Sequence, residues 1–309
     1  MTYSIIGLIC VTLVGLLAHR VGICMVNAVR LTLSGQPSLL AAILMSGLWV
    51  GAYSVLANHN GWNQPFMRFD FHPIFAVGGF VFGIGASINQ ACSVSTLNQF
   101  ARGNLSMLFA MAGWFVGWYI WDQFRTTFSI TFDYRQLPLL NQQFVNILFA
   151  LSVLLTLLII LIFPKERERW LSVSAIGLLV SALFFIEPIW APSRLVQDLG
   201  LSVVEGKTVP SFYRIELAVM MLIGMWISVM IYRDKRFRWP TIPKVIRHSF
   251  GGIMMGIGGA IALGGNDSQI LMGMPSLSFG AMTAIAFMLF GIAFEQFLYT
   301  RYKSFTVES

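Results

Sequence analysis

Nine apolar stretches fill most of this 309-residue chain, centred on residues 3–19, 38–57, 73–91, 105–121, 142–163, 171–187, 212–232, 247–263 and 277–299. Each is close to the roughly 20 residues that carry a helix across a bilayer core. Lipid offers backbone N–H and C=O groups no partners, so a spanning segment must satisfy them itself, and long unalternating runs do so as helices. Hydrophobic residues make up 57% of the sequence and charged residues 11%, too few charges to coat a soluble surface. The chain therefore reads as an all-α integral membrane protein of about nine transmembrane helices.

The first stretch lacks the charged start and small-residue cleavage site of a signal peptide, so it reads as a retained helix. The formal net charge of +7 sits mainly in loops: KERER at 165–169, RDKRFRWPTIPKVIR at 233–247, and Arg301 with Lys303. The positive-inside bias assigns all three clusters to the cytoplasm. Two expected crossings separate each cluster from the next, so the assignments agree and place the N-terminus outside. The expected location is a bacterial inner membrane, multi-pass, with a periplasmic N-terminus and a cytoplasmic C-terminus. The lipid bilayer is the expected surrounding partner. No aromatic-basic platform or soluble domain points to nucleic acid. Cys10, Cys24 and Cys92 show neither a disulfide framework nor zinc spacing, and His19, His59, His72 and His248 lie scattered near span ends. No metal or cofactor is expected.

One phrase occurs twice. GGFVFGIGASINQAC (78–92) and GGIMMGIGGAIALGG (251–265) lie 173 positions apart and agree at Gly78/Gly251, Gly79/Gly252, Gly83/Gly256, Ile84/Ile257, Gly85/Gly258 and Ile88/Ile261. Small residues at such intervals also serve plain helix packing. Direction adds to the match, because the charge-derived topology runs the two copies oppositely across the membrane. Residues 1–125 and 170–303 then form two inverted halves joined by the span at 142–163, the organisation of an inverted-repeat transporter whose binding groups lie near the midplane. Residues 1–309 read as a single membrane transport domain.

Helix breaks supply those groups. Residues 92–106 and 266–278 are short and moderately polar, with Gly103, Gly273 and Pro275 as breakers, and are expected to form re-entrant half-helices that fold back into the protein. A third break is expected at 19–37, with its counterpart at 190–200. Half-helix N-termini present free N–H groups and a positive dipole end, which suit an oxyanion. Ser93, Ser95 and Thr96 follow Cys92 at one such start. Arg20 and Arg30 bracket Cys24, where they either attract an anion and stabilise a thiolate or mark a cytoplasmic loop. Taken alone, Cys24 and Cys92 read more readily as inert packing residues than as reactive thiols.

With VGICMVNAVR before it and the glycine-rich second copy after it, the first phrase resembles the YeeE/YedE family of sulphur-compound transporters, over about residues 5–299. The resemblance implies an hourglass-shaped inverted-repeat bundle, thiosulfate as cargo, and cysteines at the constriction that pass it inward by transient S–H to sulphur hydrogen bonds. Carried over to this sequence, those cysteines are Cys24 and Cys92. The third falls at Gly265, and the family's usual glycine pair before the second is here Gln90 and Ala91.

The substrate path expected on this reading comprises Cys24, Cys92, Ser93, Ser95, Asn266, Asp267, Ser268, Arg20 and Arg30, with Asn266 and Ser268 standing in for the missing thiol. Asp267 would repel an anion unless paired with a cation such as Arg194, or it carries a proton, or it caps a half-helix. The expected function is uptake of thiosulfate or a related small sulphur-containing anion, with no enzymatic role. Two alternatives stand beside it: proton-coupled transport of another sulphur or selenium species, and a membrane sulphur-transfer subunit using a Cys92 persulfide. A cytosolic sulphur-handling protein docking on the 233–247 loop is a further candidate partner.

Overall fold

The computed structural model describes residues 2–59, 66, 68–129, 132, 135–138, 140–204 and 209–307. The helices are α1 (Thr2–Val21), α2 (Met25–Leu33), α3 (Ser38–His59), α4 (Pro73–Asn89), α5 (Ser93–Ala101), α6 (Met107–Thr127), α7 (Gln142–Ile162), α8 (Arg167–Phe184), α9 (Pro192–Val204), α10 (Phe212–Ile231), α11 (Ile242–Ile261), α12 (Asn266–Ser268, continued as a π-turn over Gln269–Gly273) and α13 (Phe279–Val307). The long helices fall on the nine predicted stretches, and α2, α5, α9 and α12 fall on the predicted breaks.

By length and hydropathy six of these stretches are able to cross a membrane, or seven if the bent pair Ile242–Ile261 and Asn266–Gly273 counts as one. This is fewer than the nine expected. The helices that fall short are the more polar ones: α6 carries Asp122 and Arg125, while α8 opens on Arg167, Glu168 and Arg169. Ser172, Ser174 and Ser181 of α8 are buried, so that polarity faces protein. The first two breaks differ from the expected fold-back: Ser4–Leu33 and Pro73–Ala101 each run on as one apolar stretch, interrupted rather than reversed. The pair α11 and α12, bent by 40° at its break, has the form of a broken span or a re-entrant loop.

Glycine sets how the two copies meet. A Cβ on Gly258 would stand 2.6 Å from the Gly78 carbonyl oxygen, and one on Gly85 would stand 2.8 Å from that of Gly251. Only bare backbone permits such an approach. Position rises along α4 as it falls along α11, so the helices are antiparallel. A shift of 173 positions turns Gly78 into Gly251 and Gly85 into Gly258, so it exchanges one contact for the other. Further contacts follow the same pattern, with the third helices of the two halves displaced by one position from that shift. Gly79 packs on Ala284 and Gly83 on Met288 between α4 and α13, while Gly252 packs on Ala110 and Gly256 on Trp114 between α11 and α6. Helix α7 packs on α3 and α8 and has no counterpart in this scheme.

The basic loops gather at one end of the bundle. Arg20, at the end of α1, pairs with Glu168 at 2.7 Å and lies over the Tyr232 ring, and Arg102, after α5, pairs with Asp234 at 2.8 Å. His19 and His248, expected at the lipid surface, are instead buried in polar contacts. His19 Nδ1 lies 2.8 Å from Ser228 Oγ, and His248 Nδ1 lies 2.8 Å from Asn89 Oδ1.

Candidate functional site: four helix starts at one point

Each short helix begins two residues after a left-handed turn. The turn residues are Gly22, Gln90, Ile189 and Leu263, and the residues at the helix starts are Cys24, Cys92, Ala191 and Gly265. At Gln90 the helix closes with Ala91 N–H on the Ala86 carbonyl. The same bond recurs 173 positions on, from Gly264 N–H to Gly259. This ending leaves the next residues extended, free to start a new helix in a new direction. Gln90 and Ala91, read in sequence as a departure from the glycine pair, keep the turn without glycine.

The four starts are tied together. Met25 N–H, in the first turn of α2, donates to Cys92 Sγ at 3.5 Å, and Ser95 Oγ donates to the same sulphur at 3.4 Å. Ser93 of α5 donates to Asn266 Oδ1 through its hydroxyl at 2.7 Å and its N–H at 3.3 Å. Ser193 of α9 donates its N–H to Asp267 Oδ2 at 2.9 Å, and its Oγ lies 3.1 Å from Ser268 Oγ. Asp267 Oδ1 accepts from Ser93 Oγ at 3.0 Å. Cys92, Ser93, Ser193, Asn266, Asp267 and Ser268 are all buried, whereas Cys24 is half-buried. Asp267 therefore caps a helix, as one of the sequence readings held, but that helix is α9 rather than its own.

Cavities approach this cluster from both ends. Two adjoining ones, of about 410 and 420 Å³, share Cys24, Asn27, Arg30, Gln90 and Gln99 and open beside the basic loops. Arg102, Arg236, Arg238 and Arg247 complete a strongly cationic wall. Arg30 donates to Asn27 Oδ1 at 2.6 Å, and Arg247 donates to the Ile88 carbonyl at 2.7 Å. From the opposite end comes a cavity of about 270 Å³ with Arg194, Gln197, Ser268 and Gln269 in its lining. At that end Arg214 pairs with Glu187 at 3.1 Å and with Asp198 at 2.6 Å.

Of the residues expected in the path, Cys24, Cys92, Ser93, Asn266, Asp267 and Ser268 come together, with Ser95 on the Cys92 thiol and Arg30 in the cationic wall. Arg20 does not join them: it is engaged with Glu168 and lines none of these cavities. Arg194 turns to Asp198 at 3.4 Å and to Gln197 at 3.1 Å, not to Asp267. Ser193 was not singled out from sequence, though it lies inside the predicted 190–200 break.

A family model described as sulphur transport matches residues 20–184 and again residues 170–294. The chain belongs to this sulphur transport family. No curated protein matches it. Two successive matches of one family model to one chain agree with the exchange of contacts between the halves. Membership also sharpens the meaning of Gly265. A Cβ there would stand 2.7 Å from the Ser193 Cβ and 2.9 Å from Asp267 Oδ1, so the space a thiol would need is already taken.

Proposed function

We propose that this member of the sulphur transport family is a bacterial inner-membrane transporter that takes up thiosulfate or a related small sulphur-containing anion. The carrying observation is the meeting of four helix starts at a buried point, two of them opened by Cys24 and Cys92. Helix N-termini and hydroxyls supply donors for an oxyanion, and the thiols supply weak S–H donors for a sulphur end. A site made of several modest donors holds an anion without trapping it. The cavities at both ends support an hourglass, and the exchange of antiparallel contacts supports an inverted-repeat transporter. On this reading the cationic wall faces the cytoplasm, where Arg30 and its neighbours draw cargo off the constriction.

Labelled thiosulfate uptake into cells expressing the chain tests the proposal, and uptake equal to that of cells lacking it sinks it. Reporter fusions after residue 169 and after residue 236 test the topology, and a periplasmic signal from either reverses it. The filled space at Gly265 favours a second reading, a cargo other than thiosulfate among sulphur or selenium anions. Competition of unlabelled anions against labelled thiosulfate separates the two.

A further inference from the structure

Asp267 is bound by the donors that an oxyanion cargo would use. Its two oxygens accept from Ser193 N–H of α9 and from Ser93 Oγ of α5, and Asp267 itself lies in the first turn of α12. It is 3% exposed, and among the described residues no lysine, arginine or histidine pairs with it. A carboxyl group seated on N–H and O–H donors without a cation is how proteins bind carboxylate, sulfate or phosphate from solution. Here the carboxyl group is part of the chain.

A purely structural cap need serve only one helix. Asp267 joins a short helix of the first half, α5, to one of the second, α9, and so spans the seam between the halves. Gly265 leaves room for it, since a side chain there would crowd Asp267 Oδ1. The cavity from one end reaches Ser268 and those from the other reach Cys24 and Ser95, and Asp267 is hydrogen-bonded to Ser193, the neighbour of Ser268, and to Ser93, the neighbour of Cys92.

We propose that Asp267 is a tethered anion that closes the pathway and sets its selectivity: cargo passes only when its own oxyanion takes over Ser193 N–H and Ser93 Oγ. Anions too weak as acceptors to displace a carboxylate, such as nitrate and chloride, are refused. This rests on the transport reading above.

The test uses the full chain in liposomes, with nitrate and chloride entry followed by an anion-sensitive dye and thiosulfate entry by radiolabel. Loss of a charge within a few ångströms of the path changes anion passage by at least about tenfold. D267N and D267A are therefore expected to admit nitrate and chloride at least about tenfold faster than the native chain. Nitrate and chloride entry equal to native in folded D267N overturns the proposal; D267N keeps the side chain's shape, so it carries the test if D267A does not fold. Because this readout does not involve sulphur, the two readings fail separately. A leak in D267N with no thiosulfate entry in the native chain supports the gate and sinks the thiosulfate reading. Native thiosulfate entry with no leak in D267N does the reverse.

Discussion

Ser93 and Asn266, which stand 173 positions apart and so occupy the same place in the two halves, are hydrogen-bonded to each other at 2.7 Å. The axis that exchanges the halves passes between them. Identical serines could share one such bond, but an amide opposite a serine also takes the Ser93 N–H, so the pair gains from being unlike.

Asn266→Ala leaves the buried Ser93 N–H without its acceptor while the Ser93 hydroxyl keeps Asp267 Oδ1, at a cost of about 1–3 kcal/mol. Ser93→Ala costs less, and the double variant less than the sum, because the two act through one contact. Thermal unfolding of the detergent-purified variants checks this. Additive losses would show that the residues act separately.

The two cysteines should separate by the kind of loss. Cys92→Ala strips the buried Met25 N–H of its acceptor, while Ser95 Oγ keeps the Cys92 carbonyl, so the melting temperature and thiosulfate uptake should both fall. Cys24 is half-exposed on the cationic cavities, so Cys24→Ala should lower uptake several-fold and leave the stability within about 0.5 kcal/mol of native. Uptake at native level in folded Cys24→Ala removes that thiol from the pathway.

Glycine substitutions should divide by what a Cβ would meet. Gly258→Ala and Gly85→Ala press on the facing backbone and should each cost about 1–3 kcal/mol or more. At Gly51 the nearest atom to a Cβ is Phe149 Cδ2 at 3.9 Å, so Gly51→Ala should be neutral or stabilising by up to about 1 kcal/mol. Unfolding of the three variants under one set of detergent conditions reads the contrast directly.

Arg30→Gln should slow thiosulfate entering liposomes from the cationic face by several-fold at low salt, with the difference shrinking as salt screens the wall. Arg20→Gln breaks a solvent-screened surface ion pair with Glu168 and should leave that flux unchanged. A matching loss in Arg20→Gln would return it to the pathway.

Sequence reading reached the helices, the breaks and the repeat, because each is written locally in apolar length, turn residues and recurring glycine. It also grouped Ser93, Asn266 and Asp267 correctly, since all open short helices. It did not reach Ser193, whose N–H matters only because α9 ends up facing α12, and it assigned Arg20 to the path because proximity to Cys24 in sequence is not proximity in space. His248 looked interfacial from its place near a span end. Its burial depends on Asn89, 159 positions away. The polar helices α6 and α8 were counted as spans by their length, though their side chains lower the hydropathy that such a count rests on.

Helix α7, which the exchange of halves leaves out, decides the parity of the chain. Four long helices precede it and four follow, and an even number returns the chain to the end where it began. On the inverted-repeat reading proposed above, the single additional helix is what turns the second half upside down. Exposed leucines such as Leu151, Leu154 and Leu158 show how little of α7 is engaged in packing, and on that reading its contribution is to reverse the direction of the chain.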